Sequence, residues 1–420
     1  MLRRQITPHL LAALADTPVV LLHGARQTGK TTLVREIAKA EHPARYLTFD
    51  DPAVRGAAEA DPHGFVDGLE GPVVIDEVQR VPGLPLAIKA AVDRNRSPGR
   101  FFLTGSANVL QVPRLAESLT GRMEIHTLWP LSQGEIEGRQ ENFIDTLFSN
   151  KAPKLSAVPR KGHPLTDRIA RGGYPELITR HDDARRRSWF ASYLDTILQR
   201  DVRDLANIEG LTSLPNLLAL IASRTGGLLN YADLSRSIQI SQTTLKRYLA
   251  LLEMTFLIQS LPPWHGNLGL RIVKSPKLFL SDTGLLMYLL KSDRRRMGSD
   301  LTMFGSILEN FAITELRKAA SWSHTKPSLF HYRTHTGGEV DLVLEGRGGR
   351  IIGIEIKAGS SISGADLKGL KQLQEAAGER FHRGVLLYGG TESVPVGRGL
   401  LALPIPAIWS LGKAQEDKRN

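Results

Sequence analysis

One stretch constrains the fold of this 420-residue chain more than any other: PVVLLHGARQTGKTTLVREIAKA, residues 18–40. Val19 to Leu22 is a short continuous apolar run, which predicts a strand buried on both faces, as in a parallel sheet. Gly24 to Thr31 fits the pattern G-x-x-x-x-G-K-[ST], and Leu33, Ile37 and Ala38 then share one face of a helix. The glycines let successive backbone N–H groups turn inward around phosphate oxygens, and the helix N-terminus adds partial positive charge. The candidate phosphate-binding residues are therefore Gly24, Ala25, Arg26, Gln27, Thr28, Gly29, Lys30, Thr31 and Thr32. Lys30 would reach the terminal phosphates, and the Thr31 hydroxyl would be a ligand for Mg²⁺.

A second half of the same chemistry follows. GPVVIDEVQ (71–79) is another apolar strand, ending in Asp76-Glu77. Asp76 would hold Mg²⁺ and Glu77 would orient the attacking water; the plainer reading is two acidic residues capping the next helix. ARYLTFDD (44–51) and RFFLTGSAN (100–108) predict two further strands. Ligands bind beyond the carboxyl ends of strands in such sheets, so Thr104 and Ser106 are candidates to sense the γ-phosphate, or simply form a strand-end turn. Arg122, just before a further strand in SLTGRMEIHTLWPLS, is a candidate for phosphate contact within or between subunits, or for a surface salt bridge.

Taken in order, HGARQTGKTTL, YLTFDDP, VVIDEVQRVPGL, FFLTGSAN and SLTGRMEIHTLWPLS resemble a group of prokaryotic AAA-type P-loop ATPases. RGGYPE (171–176) and YLDTILQRDV (193–202) extend that resemblance along the chain. It implies an AAA-like sheet that binds and hydrolyses ATP with Mg²⁺. One departure is that the sensor position, often Asn in AAA proteins, is Thr or Ser here.

The formal net charge of +11 favours nucleic acid, DNA in the first instance, or another polyanion as partner. Arg clusters in ARRRSW (184–189) and DRRRMG (293–298) point the same way, although solvated charge alone would look similar. The absence of cysteine excludes disulfides, thiolate metal sites and a Cys nucleophile. No apolar run approaches the roughly 18 residues of a membrane span. The opening MLRRQITPHLLAALADTP reads as an amphipathic helix rather than a signal peptide, because Asp16 interrupts it. The expected compartment is the cytoplasm.

In the middle of the chain, LLNYADLSRSIQISQTTLKRYLALLEMTFLIQSLPPW (228–264) has a helix-turn-helix outline. Asn230 would cap a first helix carrying Leu234 and Ile238. Ser241 or Thr243 would cap a second, with Leu245, Tyr248, Leu249 and Leu252 inward. FLIQSLPPW and SPKLFLSD would supply a wing hairpin. The outer face of the second helix would present Gln242, Thr243, Lys246 and Arg247, residue types that contact bases or phosphates; winged helices also serve as packing modules beside ATPase domains.

The C-terminal region places charge in an apolar strand. IIGIEIKAGS (351–360) carries Glu355 and Lys357 on one face. A hairpin with HYRTHTGGEVDLVLEG centred on Gly348 would set Asp341 opposite Glu355 and Glu339 opposite Lys357, with Val340, Leu342 and Leu344 on one face. Like charges facing each other destabilise a sheet, and a divalent cation between them would reverse the sign. On that reading Asp341 and Glu355 hold Mg²⁺, with Glu309 from the helix 304–320 completing the site, and Lys357 places or deprotonates water. A solvated Glu–Lys pair is the plainer alternative, and His331 and His335 read as loop or strand-surface residues. The order Glu309, Asp341, Glu355-x-Lys357 resembles the restriction-endonuclease-like superfamily, in which a following basic helix, here with Lys368, Lys371 and Gln372, often faces substrate.

The expected architecture is α/β: an AAA-like P-loop parallel-sheet domain (1–165), a helical and winged-helix region (166–298), a restriction-endonuclease-like α/β domain (299–411) and a tail (412–420). The expected function is ATP hydrolysis coupled to nucleic acid, with a Mg²⁺-dependent nuclease site. The alternative is a nucleotide-switched scaffold whose inert C-terminal domain binds a protein partner. A homo-oligomer is compatible with either.

Overall fold

A computed structural model describes residues 2–106, 119–151, 153, 163–202, 213–267, 269, 271, 274–334 and 337–411. The expected linker 150–164 and tail 412–420, and His335, lie partly or wholly outside these residues. The first sheet contains β1 (Val19–His23), β2 (Arg45–Thr48), β3 (Val73–Asp76), β4 (Phe101–Gly105) and β5 (Met123–Thr127), in the order β2-β3-β4-β1-β5. All its pairs are parallel. Strand alternation divides the apolar residues between two layers. Val20, Leu22, Val74 and Phe102 share a core with Leu33, Val34 and Ile37 of the helix Lys30–Ala40. Val19, Leu21, Ile75 and Leu103 share another with Ile88 and Val92 of the helix Leu84–Arg94. Both faces are covered, so β1, β3 and β4 are buried throughout, and the polar groups they carry cluster at their carboxyl ends.

The opening segment forms the amphipathic helix Thr7–Asp16, with Leu10, Ala13 and Leu14 inward. In the middle region, helix Leu214–Ser223 packs with the pair Tyr231–Ile238 and Gln242–Met254. Asn230 and Ser241 cap that pair, accepting from Asp233 N (3.1 Å) and Thr244 N (3.1 Å). β6 (Ile258–Leu261) and β7 (Lys277–Leu280) form a two-stranded antiparallel sheet. The two segments pair as the sequence suggests, and the second packs into the core. Every residue of β7 is buried, and Asn310 clamps Leu280 by accepting from its N–H (2.9 Å) and donating to its carbonyl (3.0 Å).

Asn310 belongs to the 21-residue helix Leu301–Ser321, which runs through the shared core. The same helix reaches the first region through Glu315, which accepts from Gln133 N (2.8 Å), and Lys318, which donates to Leu131 O (3.1 Å). A six-stranded mixed sheet follows: β8 (Ser328–Arg333), β9 (Glu339–Glu345), β10 (Ile351–Lys357), β11 (Phe381–Tyr388), β12 (Val394–Gly397) and β13 (Leu400–Pro404), in the order β12-β13-β11-β10-β9-β8. Helix Lys368–Ala377 provides the crossover between the parallel strands β10 and β11.

The β9–β10 hairpin has the predicted register, from Ile351↔Glu345 to Ile354↔Leu342, and Gly348 and Gly349 take the positive φ its turn requires (83° and 79°). The register also shifts between β8 and β9: Phe330 faces Val343 but Tyr332 faces Val340. That bulge turns Val340 away from Leu342 and Leu344, into the core beneath helix Lys368–Ala377, where the simple alternation had put all three together.

Candidate functional site

The phosphate loop is built as the sequence requires. Gly24 has φ +153°, and a Cβ there would lie 2.2 Å from Leu128 O; Gly29 has φ +94°. Lys30 Nζ donates to Gly24 O and Ala25 O, both at 2.8 Å, which aims the ammonium into the loop. Beneath it, the buried Arg4 donates to Thr28 O (2.8 Å) and Trp129 O (2.6 Å) and pairs with Glu135 (3.1 Å), fixing the loop from below.

Asp76 ends β3 at the same edge. It accepts from Thr31 Oγ1 (2.9 Å), from Tyr46 OH (2.7 Å) and from Thr104 Oγ1. Burial, reinforced by that bond to Asp76, pushes the Tyr46 phenol up to about 12. Glu77 sits at φ +60°, a left-handed conformation that a non-glycine residue holds at some cost in strain. Its N–H donates to Thr104 Oγ1 (3.2 Å), and its carboxylate accepts from Ser106 Oγ (3.1 Å) and from Gln79. Thr104 thus bonds both the Asp76 carboxylate and the Glu77 backbone, and Ser106 bonds the Glu77 carboxylate. An oxygen-only set of a hydroxyl and a carboxylate, Thr31 and Asp76, suits Mg²⁺.

The loop opens into a cavity of about 820 Å³, lined by Arg26, Gln27, Gly29, Lys30, Thr31, Thr32, Glu77 and Arg80. The middle region closes its far side with Pro175, Glu176, Arg180, Trp189, Ser192 and Tyr193. RGGYPE and YLDTILQRDV therefore meet the phosphate loop in space. Arg80 pairs with Asp50 (2.6 Å) and Arg180 with Glu176 (2.6 Å). Sequence reading passed over Tyr46, Gln79, Arg80 and Arg180. The available signal was that the first lies on a strand beside Asp76 and the next two just after it.

Arg122 takes the plainer of its two expected readings, a surface salt bridge. It stands before β5, and its carbonyl bonds Val19 N at the start of β1, so it lies at the amino edge of the sheet. There it forms a two-point pair with Asp93 (2.5 and 2.9 Å). The length of β1 separates it from the phosphate loop of its own chain.

The second expected site also comes together, but around a different cation. Lys277, the first residue of β7, places Nζ 2.8 Å from Glu309, 2.8 Å from Glu339 and 3.7 Å from Asp341. Asp341 lies at the β9 bulge, and its carboxylate accepts from Ile356 N (2.9 Å), supplying a bond to β10 beyond the last ladder pair. Glu355 pairs with Lys357 (3.1 Å), and its other oxygen is buried without a partner. Burial and then the Asp341 charge push both Glu309 and Glu355 up to about 8. Burial opposes the charge on Lys277, but Glu309, Asp341 and Glu339 outweigh it and raise its pKa. Among the described residues, no group of three or more His, Cys, Asp or Glu side chains is arranged to hold a metal. The metal expected of Glu309, Asp341 and Glu355 therefore does not fit: the carboxylates are present, and an ammonium stands among them. His331 is a correction. It is buried rather than superficial, with Nε2 3.2 Å from Ser275 O, and burial followed by the nearby Lys277 lowers it to about 4.

Gln242, Thr243, Lys246 and Arg247 all lie on the exposed face of their helix, as expected, with Lys246 5.4 Å over the Tyr231 ring. Lys368 and Lys371 are exposed on the crossover helix, which packs so closely on β9 that a Cβ on Gly369 would lie 1.8 Å from Glu339 O. The two Arg clusters meet as well: Arg294 pairs with Asp167 (2.7 Å) and Asp183 (3.1 Å), beside Arg186.

A parallel sheet carrying this loop and an Asp-Glu pair at its carboxyl edge defines a P-loop ATPase. An AAA domain family model matches residues 16–137. Two domains of unknown function, DUF8612 and DUF4143, match residues 163–296 and 304–408. "Uncharacterized protein Rv2008c" of Mycobacterium tuberculosis is 33% identical over 418 residues, covering 99% of this chain and 86% of that one. "Uncharacterized protein MJ1544" of Methanocaldococcus jannaschii is 23% identical, covering 81% and 75%. This chain belongs to the same family as the mycobacterial protein, and its first region carries an AAA-type P-loop ATPase domain. Among solved structures, the RuvB Holliday junction branch migration motor of Thermotoga maritima is 18% identical, covering 61% of this chain and 88% of that one, with a TM-score of 0.28. A signal transduction ATPase with numerous domains from Pyrococcus horikoshii is 14% identical, covering 75% and 47%, with a TM-score of 0.26. Likenesses at these scores say nothing of what this chain acts on. Among the described residues no helix is long and apolar enough to cross a membrane.

Proposed function

We propose that this protein hydrolyses ATP at the β1–β3–β4 edge and uses the nucleotide cycle to act on nucleic acid, without cutting it. The carrying observation is the bonded set Thr31–Asp76–Thr104–Glu77 beneath the phosphate loop. Lys30 binds the terminal phosphates, and Thr31 and Asp76 hold Mg²⁺. When bound, the ion neutralises phosphate charge. Glu77, steadied by Ser106 and Gln79, orients the attacking water. Arg180 and the Asp183–Thr196 helix close the cavity from the middle region, a route by which that region senses nucleotide. The test is Glu77→Gln, which should retain ATP and lose turnover; normal turnover would remove Glu77 from this role.

Residues 1–165, 166–298 and 299–411 are the functional units of this proposal. The middle unit is read as a winged helix that meets DNA through Gln242, Thr243, Lys246 and Arg247; the exposed positions of these residues and the basic net charge support this. The third unit is read as restriction-endonuclease-like in architecture, on the strength of Glu309, Asp341, Glu355 and Lys357 converging at one end of its sheet. One observation favours an inert rather than a cutting site: Lys277 occupies the carboxylate cluster. An inert fold of this kind would serve as a docking surface for a protein partner. A panel of labelled DNA and RNA with Mg²⁺ or Mn²⁺ and ATP should remain uncut. Cleavage lost in Asp341→Ala would restore the nuclease.

A further inference from the structure

Three carboxylate oxygens surround one point, and a lysine nitrogen occupies it. Nζ of Lys277 lies 2.8, 2.8 and 3.7 Å from oxygens of Glu309, Glu339 and Asp341. These residues come from a long helix and from β9, whereas Lys277 comes from the middle region's β7. Its backbone is held by pairing with Leu261 and by a bridge to Leu228, and its strand is clamped by Asn310. Lys277 itself is 2% exposed. Beside it Glu355, 8% exposed, keeps one oxygen unpartnered. We propose that Lys277 is the resident cation of this cluster: its ammonium fills the position a divalent metal would need, and the C-terminal unit takes up no divalent metal while β7 is seated.

The chemistry favours the lysine. The ammonium donates to Glu309 and Glu339 at 2.8 Å and stands within ion-pair reach of Asp341 at 3.7 Å. It is tethered, so it competes at a high effective concentration. A metal ion would have to shed water and displace a charge that cannot diffuse away. The corollary is that the cluster is a cation site by design. Without the ammonium it should accept an oxygen-seeking divalent ion such as Mn²⁺ or Ca²⁺. This inference deepens the proposed function at its inert site. Its experiment reads metal binding rather than ATP turnover, so the two fail separately.

The full chain, free of nucleotide, would be titrated with Mn²⁺ and followed by the resonance of the free ion and by thermal unfolding. Wild type and Asp341→Asn should bind the same number of ions. Lys277→Met should bind one more and gain a saturable rise in midpoint of a few degrees. Both gains should vanish in Lys277→Met with Asp341→Asn, and Lys277→Arg should not acquire them. An ion bound by wild type and lost in Asp341→Asn would overturn the proposal, as would a folded Lys277→Met that binds no additional Mn²⁺. If Lys277→Met does not fold, the wild-type and Asp341→Asn comparison decides: equal binding upholds the proposal, and one ion fewer overturns it.

Discussion

The protein carries two acidic centres at the ends of sheet strands, and they are finished in opposite ways. At the first, Asp76 is held by the hydroxyls of Thr31, Tyr46 and Thr104. Neutral donors position a carboxylate without cancelling its charge, and the centre faces a cavity of about 820 Å³. At the second, Glu309, Glu339 and Asp341 close around the ammonium of Lys277, a cation that the fold supplies. Similar residues thus make a site that needs a ligand and a site that already has its counter-ion. The identity of the partner, hydroxyl or ammonium, separates them, and strand-end carboxylates alone do not announce chemistry.

The largest effects should fall at the first centre. Lys30→Ala is expected to abolish nucleotide binding, and Glu77→Gln to reduce turnover at least about 100-fold with binding retained, as measured by ATPase assay and nucleotide titration. If Glu77→Gln barely changed turnover, the first centre would be as finished as the second. At the second centre the expected cost is in stability. Lys277→Met leaves carboxylates buried without their cation, and breaking such a pair costs about 3–5 kcal/mol, readable in denaturant unfolding at neutral pH.

Acid should strike both centres through buried histidines. His23, beside the phosphate loop, is lowered to about 4 by burial and then by Lys30; His331 is lowered to about 4 by burial and then by Lys277. Each ring is neutral when folded, so its stabilising contribution is whole above pH 6.5, the ordinary histidine value. Below that the unfolded chain takes up protons that the folded chain refuses, and stability falls as pH drops toward about 4. Each ring is worth up to about 3 kcal/mol over that window. The raised carboxyls of Glu309 and Glu355 act in the opposite sense over the same range, so the histidine is read by difference: the stability advantage of wild type over His331→Gln, from unfolding midpoints, should shrink from neutral to acid pH. An unchanged advantage would mean His331 titrates freely.

Much of this was legible because local rules and tertiary needs agreed. The loop, Asp76-Glu77, the caps at Asn230 and Ser241 and the hairpin turn at Gly348 are all dictated within a few residues. What could not be read depended on distant segments. Arg122 is near Ser106 in the chain but at the opposite edge of the sheet, because a strand's length intervenes. The shift of Val340 comes from a bulge against β8, which pattern alone does not reveal. Lys277 begins the short apolar strand KLFL, where a buried lysine is itself a signal that a partner exists. No spacing rule links it to carboxylates at 309, 339 and 341, so the carboxylates were seen and their counter-ion was missed.

The smallest expected effect concerns the middle unit, which lies between the two centres in the chain and contributes to both. Its recognition-like helix exposes Lys246 and Arg247, while its β7 is buried and engaged by Asn310 and the Lys277 cluster. If DNA meets this unit, it meets this helix while β7 stays buried, and its contacts should be mainly electrostatic. Replacing Lys246 and Arg247 by Ala should then weaken DNA binding almost equally for all sequences and lower the salt slope by about 2, one for each lost phosphate contact. The comparison is a fluorescence-anisotropy titration of wild type and the double variant over a series of salt concentrations. An unchanged slope would remove this helix from the interface and move the test to the exposed Lys368 and Lys371 of the crossover helix. A slope that fell only in the presence of ATP would tie the helix to the first centre through Arg180 and the Asp183–Thr196 helix, making the middle unit the part that reports nucleotide state outward.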